Sequence, residues 1–181
     1  MRNCSLFRQF VLCCSVICSS VMAEVKTEMF PELPFALTEA HLVGESQFTY
    51  FFWDVYDASL YASQGKWNPD APFALKLTYA RNFKGDNIAS RSVKEMRSQN
   101  PADTDTLARW QSEMTRLFPD VKDGDQLIGI ADGMQHSVFY FNSKKLGEIN
   151  DVAFTQAFFN IWLGEKTSQP DMRKSLLGEL K

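Results

Sequence analysis

The side chains able to do chemistry are few, and they gather on two aromatic-rich stretches and the segment after them. Tyr56, within FFWDVYDASLYAS (Phe51 to Ser63), and Tyr79, within FALKLTYA (Phe73 to Ala80), each bring a phenol that can donate a hydrogen bond into a pocket. Arg81 follows the second stretch directly, and Arg91 lies ten residues further on. As a pair they can hold an anionic head group, because a guanidinium stays charged and presents its donors in one plane. Each residue also has a plainer use. A strand tyrosine usually buries its ring and points its hydroxyl at a polar neighbour. Arg91 can pair with Glu95 one helical turn on, worth a few tenths of a kcal/mol, and Arg81 can close a strand end.

Other chemistries find little support. Asp54 and Asp57 are out of phase on a strand, so they face opposite sides and cannot share a proton as a carboxylate pair. If one is buried it needs a donor such as Arg81 or Arg91. His41 and His136 stand far apart with no cysteine or patterned acids nearby, so a metal centre has no ligand set. DVKDGD (Asp120 to Asp125) has Lys122 and Gly124 where a calcium loop needs oxygen ligands, and reads as a turn. There is no nucleophile elbow and no phosphate-cradling glycine loop. No cofactor is expected.

The elements that must position these residues read as α+β. A strand is expected from Leu37 to about Gly44, a turn near Glu45 and Ser46, and a second strand from Gln47 to about Ala62. The latter is apolar on both sides, which implies cover on both faces or a bend. Gln64 to Pro72 is a turn-rich connection, and 73–80 alternates as a half-buried strand. Helices are expected over Ile88 to Ser98, over Thr104 to Phe118 with its stripe Leu107, Trp110, Met114 and Leu117, and from an Asn150 or Asp151 cap to Leu163, stopped by Gly164. The last of these is apolar nearly all round. Three short strands, 126–132, 136–142 and 144–149, joined by tight turns, make an antiparallel meander.

The beginning of the chain reads as a leader. Arg2 and Arg8 precede an apolar run from Phe10 to Ile17, and Ser20-Val21-Met22-Ala23 supplies small residues for cleavage after Ala23. That run is too short for a bilayer core of about 30 Å, and Ile17 before Cys18 does not suit a lipoprotein. The expected organisation is a signal peptide over 1–23, an extended lead-in over 24–36 and one domain over 37–181, periplasmic or secreted, with no integral membrane segment after cleavage. All four cysteines, Cys4, Cys13, Cys14 and Cys18, leave with the leader, so stability must come from packing. Losing Arg2 and Arg8 takes the 19 basic residues to 17 against 22 acidic ones, a net charge near −5. With no cluster of Lys and Arg, nucleic acid and anionic membrane surfaces are not expected partners.

Several segments, in order, carry a resemblance: VYDASLYA, LKLTYARNFKG, SRSVKEM, LFPDVKDGDQL, FNSKKLGEI and AFFNIWLGE. Together they resemble the bacterial, exported branch of the chalcone isomerase-like family across most of residues 37–180. The resemblance implies an open-faced β-sandwich, a mostly antiparallel sheet covered by a layer of helices. It implies a choice among true isomerases that close a flavanone ring, fatty-acid-binding relatives, and members without assigned activity. The isomerases hold a developing oxyanion with an arginine early in the sheet, and the fatty-acid binders use an early arginine for the carboxylate. This chain has no arginine between Ala23 and Ala80, and an ungapped match puts Gly44 at that place. The same match puts Tyr56 where the isomerases carry a threonine and the fatty-acid binders a tyrosine. Ile88 and Glu95 fall where the isomerase helix carries Tyr and Asn. The resemblance therefore implies a non-catalytic protein binding a small apolar or amphipathic, fatty-acid-like molecule or a protein partner, with Tyr56, Tyr79, Arg81 and Arg91 as candidate ligand contacts. The alternative is an intramolecular lyase or isomerase with an altered site, built from Arg81 or Arg91 with Tyr56 or Tyr79. A purely structural envelope component would have a filled sheet–helix interface with no cavity.

Overall fold

The computed structural model describes residues 40–99, 102–133 and 135–180. The expected leader, the lead-in and the first residues of the strand expected from Leu37 lie outside them. Six strands, β1 (Ala40–Tyr50), β2 (Trp53–Ser63), β3 (Phe73–Tyr79), β4 (Gln126–Ala131), β5 (Ser137–Phe141) and β6 (Lys144–Ile149), form one sheet in sequence order, every neighbouring pair antiparallel. Four helices, α1 (Gly85–Gln99), α2 (Thr104–Leu117), α3 (Val152–Leu163) and α4 (Pro170–Leu176), complete the described chain. The strand period of two decides the layering. Ala58, Leu60 and Ala62 of β2 and Phe73, Leu75, Leu77 and Tyr79 of β3 join the helix side chains in the main core. The other parity, Ala74, Ile128, Ile130, Val138 and Tyr140, forms a smaller cluster of its own.

The third helix is the spine of that core. Phe154, Phe158, Phe159 and Trp162 of α3 are buried, and Phe158 meets Phe118, Phe139, Phe154 and Trp162 ring to ring at 5.2–6.2 Å. At about 1.5–3 kcal/mol for each large apolar side chain fully buried, this cluster outweighs the weak helix propensity of its aromatic residues. Asp151 starts α3 by accepting the Phe154 N–H at 3.0 Å, and its other oxygen takes the Trp110 indole at 3.0 Å and Arg109 at 2.9 Å from α2. One carboxylate therefore caps one helix and fastens a second.

Two features differ from the sequence expectation. The hairpin does not turn at Glu45 and Ser46; β1 runs on through them to Tyr50, and the turn is Phe51–Phe52. Phe51 adopts φ 56°, a left-handed conformation usually left to Gly or Asn, while the Thr49 hydroxyl donates to Asp54 across the loop at 3.0 Å. The end of the hairpin is consequently bare: Phe51 is 77% exposed, Phe52 93% and Trp53 60%. So the aromatic stretch joins the core only from about Tyr56 onward, and Asp54 and Asp57 stand exposed, so neither is a buried carboxylate that an arginine must neutralise. The second feature is α4, which packs against β1 through Met172 and Leu176. Gly44 lies directly beneath its end: a Cβ there would sit 2.1 Å from the Ser175 carbonyl oxygen and 2.7 Å from that of Leu176.

Candidate functional site

A cavity of about 300 Å³ opens between the sheet and α1, α3 and α4, at the small end of the roughly 300–1,000 Å³ usual for small-molecule sites. Its presence excludes the filled interface that a purely structural component would have. Its floor is a row of aromatic rings laid across three strands by register: Phe48 of β1 pairs with Tyr56 of β2, which pairs with Tyr79 of β3. The rings of Phe48 and Tyr56 stack at 5.2 Å, those of Tyr56 and Tyr79 meet edge to face at 6.0 Å, and Phe83 continues the row 5.8 Å beyond Tyr79. Leu77, Phe118, Phe158, Ile161, Trp162 and Met172 close the interior. Asn87, Arg91, Ser168 and Gln169, all exposed, ring the mouth.

The polar groups inside stand on hydrogen-bonded backbone. Tyr79 exchanges backbone hydrogen bonds with the turn after α2, its N–H donating to Asp125 at 2.9 Å and its carbonyl accepting from Gly124 at 2.8 Å. Its side chain is only 4% exposed, and its hydroxyl has no hydrogen-bond partner among the described residues. The Tyr56 oxygen accepts the Trp162 indole N–H at 3.0 Å, and its own O–H has no acceptor among the described residues. Burial pushes the Tyr56 phenol up to about 12, against the Trp162 hydrogen bond and the charge of Arg91. Burial, with Tyr56 close by, also raises Tyr79. Both phenols are therefore neutral donors at any physiological pH.

Among the described residues, charge in the lining is confined to one pair. Arg91 contacts Glu95 at 2.6 Å across one turn of α1, and the second Glu95 oxygen accepts the Ser168 hydroxyl at 2.9 Å. Of the residues singled out in the sequence, Tyr56, Tyr79 and Arg91 line this cavity and Arg81 does not. The Arg81 guanidinium lies 4.2 Å from the Trp53 ring centroid, a cation–π contact at the exposed end of the hairpin. Sequence reasoning missed Trp162 and Met172. A tryptophan in a helix apolar all round needs a partner for its N–H, and that requirement was a usable sign.

A family model described as chalcone isomerase-like matches residues 29–178. A Haemophilus influenzae (strain Rd) protein described only as uncharacterized is 30% identical over 155 residues, covering 84% of this chain and 74% of that one. Among solved structures, the crystal structure of an Arabidopsis thaliana fatty-acid binding protein superposes with a TM-score of 0.59 at 12% identity, covering 77% of this chain and 87% of that one. At that identity the likeness is one of fold. Ile88 and Glu95, the positions matched to the isomerase helix, both line the cavity.

Proposed function

The chain belongs to the chalcone isomerase-like family, and from that premise we propose that it binds a small apolar or amphipathic molecule in the sheet–helix cavity without transforming it. The carrying observation is the cavity itself, apolar inside, floored by four rings and holding two phenol donors that lack acceptors among the described residues. Against catalysis stands Gly44, where the resemblance places the arginine: α4 backbone fills the space that any side chain there would need. The fatty-acid-binding fold neighbour supports the ligand class, though not the ligand.

The test is uptake of N-phenyl-1-naphthylamine, an uncharged dye that brightens in apolar surroundings. Saturable uptake is expected, blocked by Leu77→Phe, which fills the interior, and unaffected by Arg81→Ala at the remote hairpin end. Absence of saturable uptake, with no small molecule found in native mass spectra of the purified protein, overturns the proposal.

One observation favours the isomerase alternative: Arg91 shares the cavity with Tyr56 and Tyr79. Turnover of a chalcone that is lost in Tyr56→Phe would establish it; none above background is expected. The proposal includes export. The protein recovered from the periplasmic or extracellular fraction is expected to begin at Glu24, which its intact mass decides.

A further inference from the structure

Resting on the ligand-binding reading above, we infer that the ligand's polar end is an uncharged carbonyl group, as in a ketone, aldehyde, ester, amide or quinone, and not a carboxylate. The observation is how the lining's few polar groups are already committed. Arg91, the one cation among the described lining residues, is held by Glu95 at 2.6 Å. The Glu95 side chain is only 12% exposed, and its second oxygen is fixed by Ser168 at 2.9 Å. An incoming carboxylate that drew Arg91 away would leave this half-enclosed Glu95 negative and unpaired at the same mouth. It would then face a like charge there in addition to losing its own water.

Inside, two phenol hydrogens are left to give. The Tyr79 hydroxyl lacks any partner among the described residues, and the Tyr56 hydroxyl, already accepting from Trp162, has only its hydrogen left to give. Ser92, the remaining hydroxyl of the interior, gives its hydrogen to the Ile88 carbonyl at 2.9 Å. What the two phenols lack is therefore an acceptor, and no free positive charge among the described lining residues waits for an anion. A carbonyl oxygen supplies two lone pairs with no charge to desolvate, while the chain or ring it sits on meets Phe48, Leu77, Phe158 and Met172.

The experiment measures displacement of N-phenyl-1-naphthylamine by 2-undecanone and by undecanoate at pH 8, where the acid is ionised. The ketone is expected to displace the dye at a concentration about tenfold or more below that of the carboxylate. Tyr79→Phe is expected to weaken the ketone about five- to tenfold, the size of one hydrogen bond, and to weaken the dye, which carries no carbonyl, by less. Glu95→Gln frees Arg91 and is expected to tighten undecanoate about tenfold relative to the ketone. Dye uptake with undecanoate bound as tightly as the ketone by the wild-type protein overturns the carbonyl assignment and leaves the cavity reading standing. So does a Tyr79→Phe protein that folds, takes up dye and binds the ketone unchanged. Failure of dye and both ligands alike overturns the cavity reading, and this inference with it.

Discussion

Replacing Gly44 by alanine tests both the packing of α4 and the account of the missing arginine. The new Cβ would stand 2.1 Å from the Ser175 oxygen, where ordinary contact begins at 3.4 Å, so backbone must retreat by more than 1 Å. The obstacle is main chain at the end of a helix and has no rotamer in which to escape. If α4 shifts but stays docked, the cost is that of overpacking, about 1–3 kcal/mol. If it lets go, Met172 and Leu176, buried at 7% and 0%, return to water at about 1.5–3 kcal/mol each. The cheaper response sets the outcome, so about 1–3 kcal/mol is expected. For a domain of this size that is a Tm lower by about 3–12 °C in a thermal melt. Hydrogen exchange locates the damage: the α4 amides should exchange faster, while those of β4 and β5 keep wild-type protection relative to global stability. Gly44→Arg should cost at least as much, since it adds a longer side chain to the same obstruction. A Gly44→Ala protein that melts within 2 °C of wild type with unchanged α4 exchange refutes the reasoning, and with it the claim that α4 keeps an arginine from this place.

Two further outcomes follow from the titrating groups. Asp151→Ala removes a helix cap worth about 1 kcal/mol and strands the Trp110 indole donor, at about 1–3 kcal/mol, so a loss near 2–4 kcal/mol is expected in urea unfolding, against little change if Asp151 were merely a surface charge. Burial alone would raise the Asp151 carboxyl, but the hydrogen bonds from Phe154, Trp110 and Arg109 outweigh it and hold the group below its ordinary range. Its folded-state pKa is thus depressed, so its contribution is present above the unfolded value near 4 and is lost as pH falls through the folded one; the fall in wild-type stability on acidification should be shallower in Asp151→Ala. At the alkaline end the sign reverses. Tyr56 and Tyr79 are raised by burial, Tyr56 to about 12, so the stability they lend is whole below about pH 10 and declines as pH rises through the folded values. Tyr56→Phe and Tyr79→Phe should each flatten that decline in melts taken from pH 9 to 12.

Local rules reached far into this fold. The apolar stripe of α2, the Asp151 cap of α3, and the tight turns between β4, β5 and β6 are all written in neighbouring residues, and the observed bounds lie within a few positions of those expected. The hairpin turn was not legible because its central residues carry no turn signal. Two phenylalanines make it, one at positive φ, since the register between β1 and β2 places the Phe48–Tyr56 pair on the core side and leaves the chain no other place to reverse. The short helix α4 left a fainter trace in Pro170, suited to a first helical turn, and in Met172 and Leu176 one turn apart. In the site, Tyr56, Tyr79 and Arg91 could be picked out by type and place. The state of Arg91 depends on Ser168, which steadies Glu95 from 73 residues away, and sequence distance hides contacts of that kind. Arg81 looked equivalent to Arg91 until the hairpin placed Trp53 against it.

The bare end of the β1–β2 hairpin has a consequence for how the folded molecule behaves as a colloid. Tyr50, Phe51, Phe52 and Trp53 offer water a block of rings beside Arg81 and Asp54. Sulfate, which is excluded from protein surface and strengthens apolar contact, should therefore salt this protein out early and hold it on a phenyl resin. A Phe51→Ser, Phe52→Ser double variant should come off that resin sooner without losing its fold, because neither ring supports the core. Solubility and stability, which usually move together when a core is damaged, are separable here by editing two residues of one turn.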